Sequence, residues 1–210
     1  MPLPFTPQEM LAIVVGASFA AGLNVYATVA VLGLLVRAHL FTLPPSLHLL
    51  EAWTTIAAAI ALFVVEFFAD KIPAFDLIWN ALQTFVRVPV AALLAYGATS
   101  QLSPGAQLAS AVVAAGIAFA AHGGKTAIRA AVTPSPEPLS NIGLSLTEDA
   151  LAIGLVWLAT QHPYVAAVIV TILLVLLVFV VRMISKSLRA LFRGAQEQWQ
   201  KLQLLWLGEP

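Results

Sequence analysis

Long apolar runs, separated by short proline-rich or polar segments, make up most of this chain of 210 residues. Each run is long enough to form a helix that crosses roughly 30 Å of hydrocarbon. The runs cover about 11–36, 52–71, 75–98, 106–132, 141–160 and 164–193. Prolines lie at most of the joints between them, where they stop helices. The pattern predicts an all-α polytopic membrane protein with about six transmembrane helices.

The composition supports this fold class and excludes several functions. Hydrophobic residues make up 60% of the chain and charged residues 10%, which is typical of a membrane protein. The formal net charge is zero and there is no basic patch, which argues against nucleic acid as a partner. Without cysteine there is no disulfide and no thiolate site. Serine-hydrolase, P-loop and zincin motifs are absent, so we expect no cofactor and favour a protein that is not an enzyme.

The placement of lysine and arginine predicts the orientation of the helices. The sixth run ends in a basic stripe formed by Arg182, Lys186, Arg189 and Arg193. The joints on the opposite side contain no lysine or arginine and cover 38–50, 99–105 and 161–163. With six crossings, both chain termini and the segment 135–138 lie in the cytoplasm. The expected location is the cell inner membrane.

Beyond the sixth run, an amphipathic pattern continues to the end of the chain through Trp199, Leu202, Leu205 and Trp206. Basic amphipathic helices of this kind lie along an anionic inner leaflet. We therefore expect a single membrane domain over 1–210, with an interfacial C-terminal tail at 194–210.

A comparison of the two halves indicates internal repetition at an offset of 100. Six residues recur at this offset: Gly16, Phe19, Ala20, Ala21, Ala27 and Ala30 match Gly116, Phe119, Ala120, Ala121, Ala127 and Ala130. Each half also carries acidic residues on its second helix. Three crossings in each of 10–98 and 106–193 would form an inverted repeat, which is typical of transporters. Chance matches among alanines are the alternative.

Charged residues inside the apolar runs are the main functional signal, because an isolated charge in hydrocarbon is costly. In the second run, Glu66 and Asp70 lie four residues apart on one helix face, and Lys71 follows. Neighbouring carboxylates repel each other, so one of them can hold a proton and the pair can form a cation or proton site. Alternatively, Asp70 and Lys71 only mark the membrane boundary.

The third run carries a polar stripe of Asn80, Gln83 and Arg87. Arg87 falls near the middle of the membrane, where it needs a carboxylate partner. It is either half of a structural ion pair with an acidic residue of another helix or part of an anion-binding site.

His122, Lys125 and Arg129 line one face of the fourth predicted helix, beside Gly123 and Gly124. The glycines permit close approach of the backbone, and a cationic face suits a phosphate or carboxylate ligand. The alternative is that both cations are ordinary residues of the positive side and that His122 is a packed polar residue. The sequence leaves a metal site undecided, although His122 has no second histidine at ligand spacing.

Asn141, Ser145 and Glu148 share one face of the fifth predicted helix, and Asp149 is adjacent. Glu148 lies roughly 10 Å into this helix, which is too deep for a terminal charge. Together with Glu66, it is the strongest single candidate for a functional residue.

A polar interruption, Gly22-Leu23-Asn24, divides the first apolar run. Asn24 is either a hydrogen-bonding residue inside the bundle or the break of a discontinuous helix. Hydrogen bonding between helices is the commoner role of a lone asparagine.

Several polar segments resemble domain-of-unknown-function family 4126, a family of bacterial integral membrane proteins. They are 22–26, 66–73, 122–125, 135–141 and 145–149. The resemblance runs from about residue 10 to 190 and implies a polytopic inner-membrane protein without an established substrate. The segment from Glu66 to Lys71 also resembles the Glu-x-Gly-Asp-Lys/Arg signature of a family of cation–proton exchangers, although it lacks the glycine and differs in spacing by one residue.

Deep charges on four predicted helices favour a small secondary transporter for an ion or small charged solute, with proton coupling as one option. A structural or assembly subunit and a membrane-embedded lipid-handling protein or enzyme are the alternatives. The expected partners are the lipid bilayer and the solute, and a homo-oligomer is left undecided. No catalytic residue is assigned. The binding candidates are Asn24, Glu66, Asp70, Lys71, Arg87, His122, Lys125, Arg129, Asn141, Ser145, Glu148 and Asp149.

Overall fold

The computed structural model describes residues 5–70, 73–132 and 138–207, and these residues form seven α-helices and one short 3₁₀ helix, with no strand among them. In chain order they are α1 (Pro7–Leu23), α2 (Val25–Arg37), the 3₁₀ helix (Pro45–Glu51), α3 (Trp53–Ala69), α4 (Pro73–Ala98), α5 (Pro104–Val132), α6 (Pro138–Gln161) and α7 (Pro163–Leu207). Five of the α-helices begin at a proline, whose fixed φ and missing N–H suit the first helical position. The all-α prediction is confirmed.

Within the described part of the chain, four helices are long and apolar enough to cross a membrane: α4, α5, α6 and α7. The next candidate, α3, passes the same test only together with the 3₁₀ helix, against which it is bent by 61°. Shorter apolar helices of 17 and 13 residues form α1 and α2. The prediction of six crossings is therefore not confirmed, and the predicted single span at 11–36 is wrong.

The first apolar run folds into a helical hairpin, formed by α1 and α2, that turns at Asn24. This residue has an extended backbone (φ −152°, ψ 102°), and its Oδ1 accepts a hydrogen bond from the N–H of Ala27 at 2.9 Å, which caps α2. The open ends of the hairpin lie together, because the rings of Phe5 and Phe41 are 5.3 Å apart. The run thus begins and ends at the same end of the bundle.

Helix α1 lies at the centre of the bundle, in contact with α4, α5, α6 and α7. It is apolar on all sides, as expected of a helix that is buried all round. Glycines permit these close contacts. A Cβ atom added to Gly16 would lie 2.6 Å from the Cβ of Ala159, so α1 and α6 approach closely at this point.

Contacts along α1 and α5 show that these two helices run in the same direction. Val14 packs in one cluster with Ala114, and Gly22, further along α1, lies against Ala118 and Ala121 of α5. Helices related by an inverted repeat would run in opposite directions. The matching segments of α1 and α5 therefore do not have the opposite directions that the predicted inverted repeat requires.

One end of the bundle, named here the hairpin end, gathers the open ends of the hairpin and the joints between later helices. Gln161 at the end of α6 donates a hydrogen bond to the carbonyl of Leu40 at 3.2 Å. Ser46 of the 3₁₀ helix donates to the carbonyl of Gly97 near the end of α4 at 2.7 Å. The start of α1 therefore lies on the same side as the joints that lack lysine and arginine. The predictions that these joints lie outside and that the chain begins in the cytoplasm are incompatible.

Helix α7 is unusually long, with 45 residues and a length of about 67 Å. It begins at the hairpin end, where Ala166 lies near Gly16, and extends past the opposite end of the bundle. The predicted tail over 194–207 is a continuation of α7, whereas 208–210 lie outside the described residues. The basic side chains of the predicted stripe are exposed, namely Arg182, Lys186, Arg189 and Arg193.

The contact between α1 and α5 predicts a large effect of Gly22→Ala. A Cβ atom at Gly22 would lie 2.5 Å from the carbonyl oxygen of Ala118 and 2.7 Å from the Cβ of Ala121, so the two helices must separate. We expect a loss of about 1–3 kcal/mol in the free energy of unfolding. Gly116→Ala is the matched control, because no heavy atom lies within 4 Å of its added Cβ.

Thermal unfolding in detergent, followed by circular dichroism, measures this difference. Gly116→Ala should leave the midpoint unchanged or raise it, since alanine favours a helix by roughly 1 kcal/mol over glycine. Equal midpoints for the two variants would contradict the packing of α1 on α5.

Candidate functional site

Charged side chains from α3, α4, α5 and α6 meet inside the bundle, next to the tip of the hairpin. This set is named here the charge network and comprises Glu66, Asp70, Arg87, Lys125, Arg129, Glu148 and Asp149. Each member, taken as a whole residue, is at most 7% exposed. The structure thus brings together the charged positions of the second, third, fourth and fifth apolar runs, as expected for charges that cannot stand alone in hydrocarbon.

Glu66 of α3 and Arg87 of α4 form a fully buried ion pair through Nη2 and Oε1. The other terminal nitrogen of Arg87, Nη1, donates to the carbonyl oxygens of Gly22 at 3.0 Å and Leu23 at 2.7 Å. Carbonyls in the last turn of a helix lack helical partners, and these two are at the end of α1. Arg87 therefore joins the tip of the hairpin to the acidic helix α3.

Lys125 of α5 lies between the carboxylates of two other helices. Its Nζ is 3.1 Å from Oδ2 of Asp70, 3.1 Å from Oε2 of Glu148 and 3.8 Å from Oε1 of Glu66. It also donates to the carbonyl oxygen of Leu23 at 3.5 Å. One ammonium group thus connects α3, α6 and the hairpin.

Arg129 lies one turn further along α5 and contacts two of the same carboxylates. Its Nη2 is 2.6 Å from Oε2 of Glu148 and 3.0 Å from Oδ2 of Asp70, and its Nε donates to Oε1 of Glu148 at 3.3 Å. The spacing of Lys125 and Arg129 does place both on one helix face, as predicted. That face binds carboxylates of the protein itself, which does not support the predicted anion site.

Asn24 joins the hairpin to α6. Its Nδ2 donates to Oδ1 of Asp149 at 2.9 Å, while its Oδ1 caps α2. Both interpretations of this asparagine therefore hold, since it breaks the helix and also hydrogen-bonds another helix.

His122 is buried beside Arg87 and connects α5 with α4. Its Nδ1 lies 3.1 Å from Nη1 of Arg87, and a guanidinium only donates hydrogen bonds, so Nδ1 accepts. Its Nε2 lies 2.9 Å from Oγ1 of Thr84 and 3.0 Å from the carbonyl oxygen of Asn80. This geometry assigns the imidazole proton to Nε2 and a packing role to His122.

Three carboxylate oxygens of the network have no hydrogen-bond donor among the described residues: Glu66 Oε2, Asp70 Oδ1 and Asp149 Oδ2. Buried polar atoms nearly always have a partner. Four carboxylates and three cations make up the network as far as the structure describes it. With every carboxylate ionised, these described groups carry one excess negative charge, which a proton or a cation would balance.

The remaining candidates lie outside this arrangement or outside the described part of the chain. Ser145 is fully buried, and its Oγ has no hydrogen-bond partner among the described residues. Lys71 lies outside the described residues, as does the side chain of Asn141. No group of three or more histidine, aspartate or glutamate side chains in the described ranges could hold a metal ion.

Sequence reasoning missed the contribution of the backbone and of two hydroxyl side chains. It did not identify the carbonyls of Gly22 and Leu23 as partners of Arg87. It also passed over Thr84 and over Tyr26, whose hydroxyl accepts from Nε2 of Gln83 at 3.0 Å. A signal was present, because a helix broken at an asparagine leaves free carbonyls that a nearby arginine can bind.

The length and apolar composition of the helices indicate a membrane protein, and the buried charges give it a polar interior. A family model described as Domain of unknown function (DUF4126) matches residues 11–183, so the chain belongs to this family. The resemblance seen in the polar segments is confirmed. No curated protein and no solved structure matches the chain.

The ion pair between Glu66 and Arg87 predicts strong coupling between substitutions at these positions. Arg87→Gln leaves a buried carboxylate without its main cation, and we expect a loss of about 3–5 kcal/mol in stability. The double variant Glu66→Gln/Arg87→Gln should be more stable than the sum of the single effects predicts, by roughly 0.5–3 kcal/mol.

Thermal unfolding of the four proteins in detergent measures this coupling. Arg182→Gln is the control for loss of an arginine, since the side chain of Arg182 is exposed on α7. Additive effects of the two substitutions would contradict the pairing.

Proposed function

We propose that this protein is a small secondary transporter of the inner membrane whose buried carboxylates carry a coupling proton. The transported species is an ion or small charged solute. One observation carries the proposal: charges from four helices meet at the tip of a hairpin of two short helices. Charges within apolar helices mark ion pathways and proton relays, and breaks in helices near the membrane midplane are typical of transporter binding sites.

A crevice between α1, α5, α6 and α7 supports exchange between the charge network and the surroundings. Its volume is about 260 Å³, and Lys125 and Glu148 are part of its lining. The Glu148 side chain is 10% exposed, whereas that of Glu66 is fully buried. A ligand that enters this crevice therefore meets Glu148 first.

The contacts of Arg87 suggest how a proton changes the shape of the protein. A proton on Glu66 removes the negative charge that Arg87 and Lys125 face. The hydrogen bonds from Arg87 to the carbonyls of Gly22 and Leu23 then weaken, because the Glu66 carboxylate holds the guanidinium in place. In this mechanism the position of the hairpin tip follows the protonation of the network, and a conformational change accompanies each proton that is bound or released.

Two other functions have some support in the structure. Dense ion pairing is consistent with a structural subunit whose charges only hold its helices together. The leucine-rich wall of the crevice, formed by Leu144, Leu151, Leu173 and their neighbours, is consistent with a lipid-handling protein. The substitutions below separate these functions from transport.

The orientation that we propose follows from the hairpin and the basic stripe of α7. Lysine and arginine favour the cytoplasmic side, which places the far end of α7 in the cytoplasm. The hairpin end then lies on the outer side, and so does the start of α1. This orientation differs from the one expected from six crossings, because the hairpin returns to the side from which it came.

Cysteine labelling tests this orientation, because the natural chain contains no cysteine. Single substitutions at exposed positions cover the start of α1 (Gln8→Cys), the joint before α5 (Ser103→Cys) and the far end of α7 (Gln203→Cys). An impermeant maleimide should label the first two in whole cells and the third only after lysis. Protection of Gln8→Cys together with labelling of Ser103→Cys would contradict the hairpin.

Proton coupling predicts that Glu66→Gln and Glu148→Gln fold but lose pH-dependent flux. Glutamine keeps the shape of the side chain and mimics its protonated state. Purified protein in liposomes that contain a pH-sensitive dye can be tested with imposed gradients of sodium, potassium and phosphate. We expect wild-type protein to move protons with one of these ions, and both variants to fall to the protein-free background.

Glu51→Gln is the control for loss of a carboxylate, since Glu51 is at the hairpin end, away from the network. Wild-type pH dependence in both network variants would rule out the coupling. Failure of both to fold would instead support the structural role.

A further inference from the structure

We infer that water reaches the charge network from opposite ends of the bundle through two separate crevices, and that Glu66 and Glu148 are the two ends of one proton path. This inference rests on the proposed transport function and deepens it.

The first crevice lies between α2, α3 and α4 and has a volume of about 420 Å³. Three of its ten lining residues carry hydroxyl groups, namely Tyr26, Thr54 and Thr55, and the other seven are apolar. None is charged. Thr54 and Thr55 are in the first turn of α3, beside Trp53, whose ring lies 4.9 Å from the Arg37 guanidinium. Aromatic and basic side chains of this kind are typical of the membrane interface. The crevice therefore begins near the interface at the hairpin end.

The chemistry of this lining suits water and protons better than a charged solute. Hydroxyl groups donate and accept hydrogen bonds, so Thr54 and Thr55 can bind water at the outer end of the crevice and Tyr26 at the inner end. They offer no opposite charge to an ion that leaves water. A bare ion in this crevice would therefore lose hydration without compensation.

The helix register leads from the first crevice to Glu66. Its lining residues Thr55, Ala59 and Leu62 follow one face of α3, and Glu66 is the next position on that face. On the facing helix α4, the lining ends at Val86, close to Gln83 and Arg87. The inner end of the crevice is thus about 5.4 Å, or one helical turn, from the network.

Gln83 and Tyr26 bridge this last turn. The Tyr26 hydroxyl accepts a hydrogen bond from Nε2 of Gln83 at 3.0 Å. Oε1 of Gln83 has no donor among the described residues, although it is buried. This unsatisfied oxygen would accept a hydrogen bond from a water molecule, and that water would extend the chain of hydrogen bonds toward Glu66.

The second crevice, between α1, α5, α6 and α7, lies in the half of the bundle away from the hairpin end. Its lining on α6 begins at Leu144, near the start of that helix, and on α7 it extends to Val180. It touches the network directly through Lys125 and Glu148. The network is thus in contact with the second crevice and separated by one turn from the first.

Lys125 connects the two carboxylates. Its Nζ is 3.1 Å from Glu148 and 3.8 Å from Glu66. A small rotation of the lysine side chain would make Glu66 the nearer of the two carboxylates. When a proton leaves an oxygen of Glu66 and binds an oxygen of Glu148, Lys125 moves toward the carboxylate that becomes anionic. The reverse transfer moves it back, so the charge near each carboxylate stays balanced.

Cations face both carboxylates of this path. Arg87 faces Glu66 from α4, and Lys125 faces it from α5. Glu148 faces the same Lys125 and also Arg129, so each carboxylate keeps a cation beside it when its proton leaves.

Accessibility of introduced cysteines tests the two openings without any assay of transport. Thr55→Cys reports on the first crevice and Thr147→Cys on the second. Ile60→Cys and Leu146→Cys are matched controls on the same helices, since both residues are exposed but line neither crevice. An impermeant methanethiosulfonate reagent reacts with thiols in water and is applied to right-side-out and to everted vesicles.

We expect Thr55→Cys to react only from the side that labels Ser103→Cys, and Thr147→Cys only from the side that labels Gln203→Cys. Both controls should react much more slowly from either side. Thr54→Cys replaces Thr55→Cys where the latter does not fold. Reaction of the two crevice thiols from the same side, or at the rate of their controls, would overturn the inference. The transport proposal would still be tested separately by Glu66→Gln and Glu148→Gln.

A second measurement tests the path itself. A bulky methanethiosulfonate attached at Thr55→Cys should slow proton flux in liposomes, whereas the same group at Ile60→Cys should not. Unchanged flux after complete modification of Thr55→Cys would exclude the first crevice as a proton route. The glutamine variants could then still lose pH-dependent flux, so the two failures are distinguishable.

Discussion

The rest of the structure depends on the buried guanidinium of Arg87. A positive charge at this depth requires a carboxylate, and Glu66 of α3 supplies it. The same guanidinium donates to the carbonyls of Gly22 and Leu23, which no helix could satisfy at the end of α1. One side chain thus neutralises a buried carboxylate and also satisfies backbone carbonyls at the tip of the hairpin.

The hairpin in turn organises the surrounding helices. Because α1 ends inside the bundle, polar groups of the backbone become available where an unbroken span would present only apolar side chains. Asn24 uses this position to cap α2 and to bind Asp149 of α6, while Lys125 reaches the carbonyl of Leu23. The network therefore combines charges from four helices with the backbone of a fifth, and each carboxylate is linked to the hairpin tip through Arg87, Lys125 or Asn24.

The convergence of the charges could be predicted from the sequence, but the hairpin could not. Glu66, Lys125 and Glu148 each interrupt an apolar run, and the energetic cost of an isolated charge leaves pairing as the general solution. The run at 11–36 has the length of a membrane span, and its return depends on contacts distant in sequence, such as that of Gly22 with Ala118. Helix spacing placed Lys125 and Arg129 on one face, yet it cannot tell what faces them, and here carboxylates occupy the predicted anion site.

Helix α7 extends far beyond the crevice that its middle part lines. Its residues Leu173, Leu176, Leu177 and Val180 form one wall of the crevice that reaches Glu148. The same helix continues to Leu207, roughly 40 Å beyond that wall. A tilt of this helix against the bundle would change the width of the crevice, because the same helix forms its wall. The geometry thus connects the far end of α7 with the entrance to the buried carboxylates.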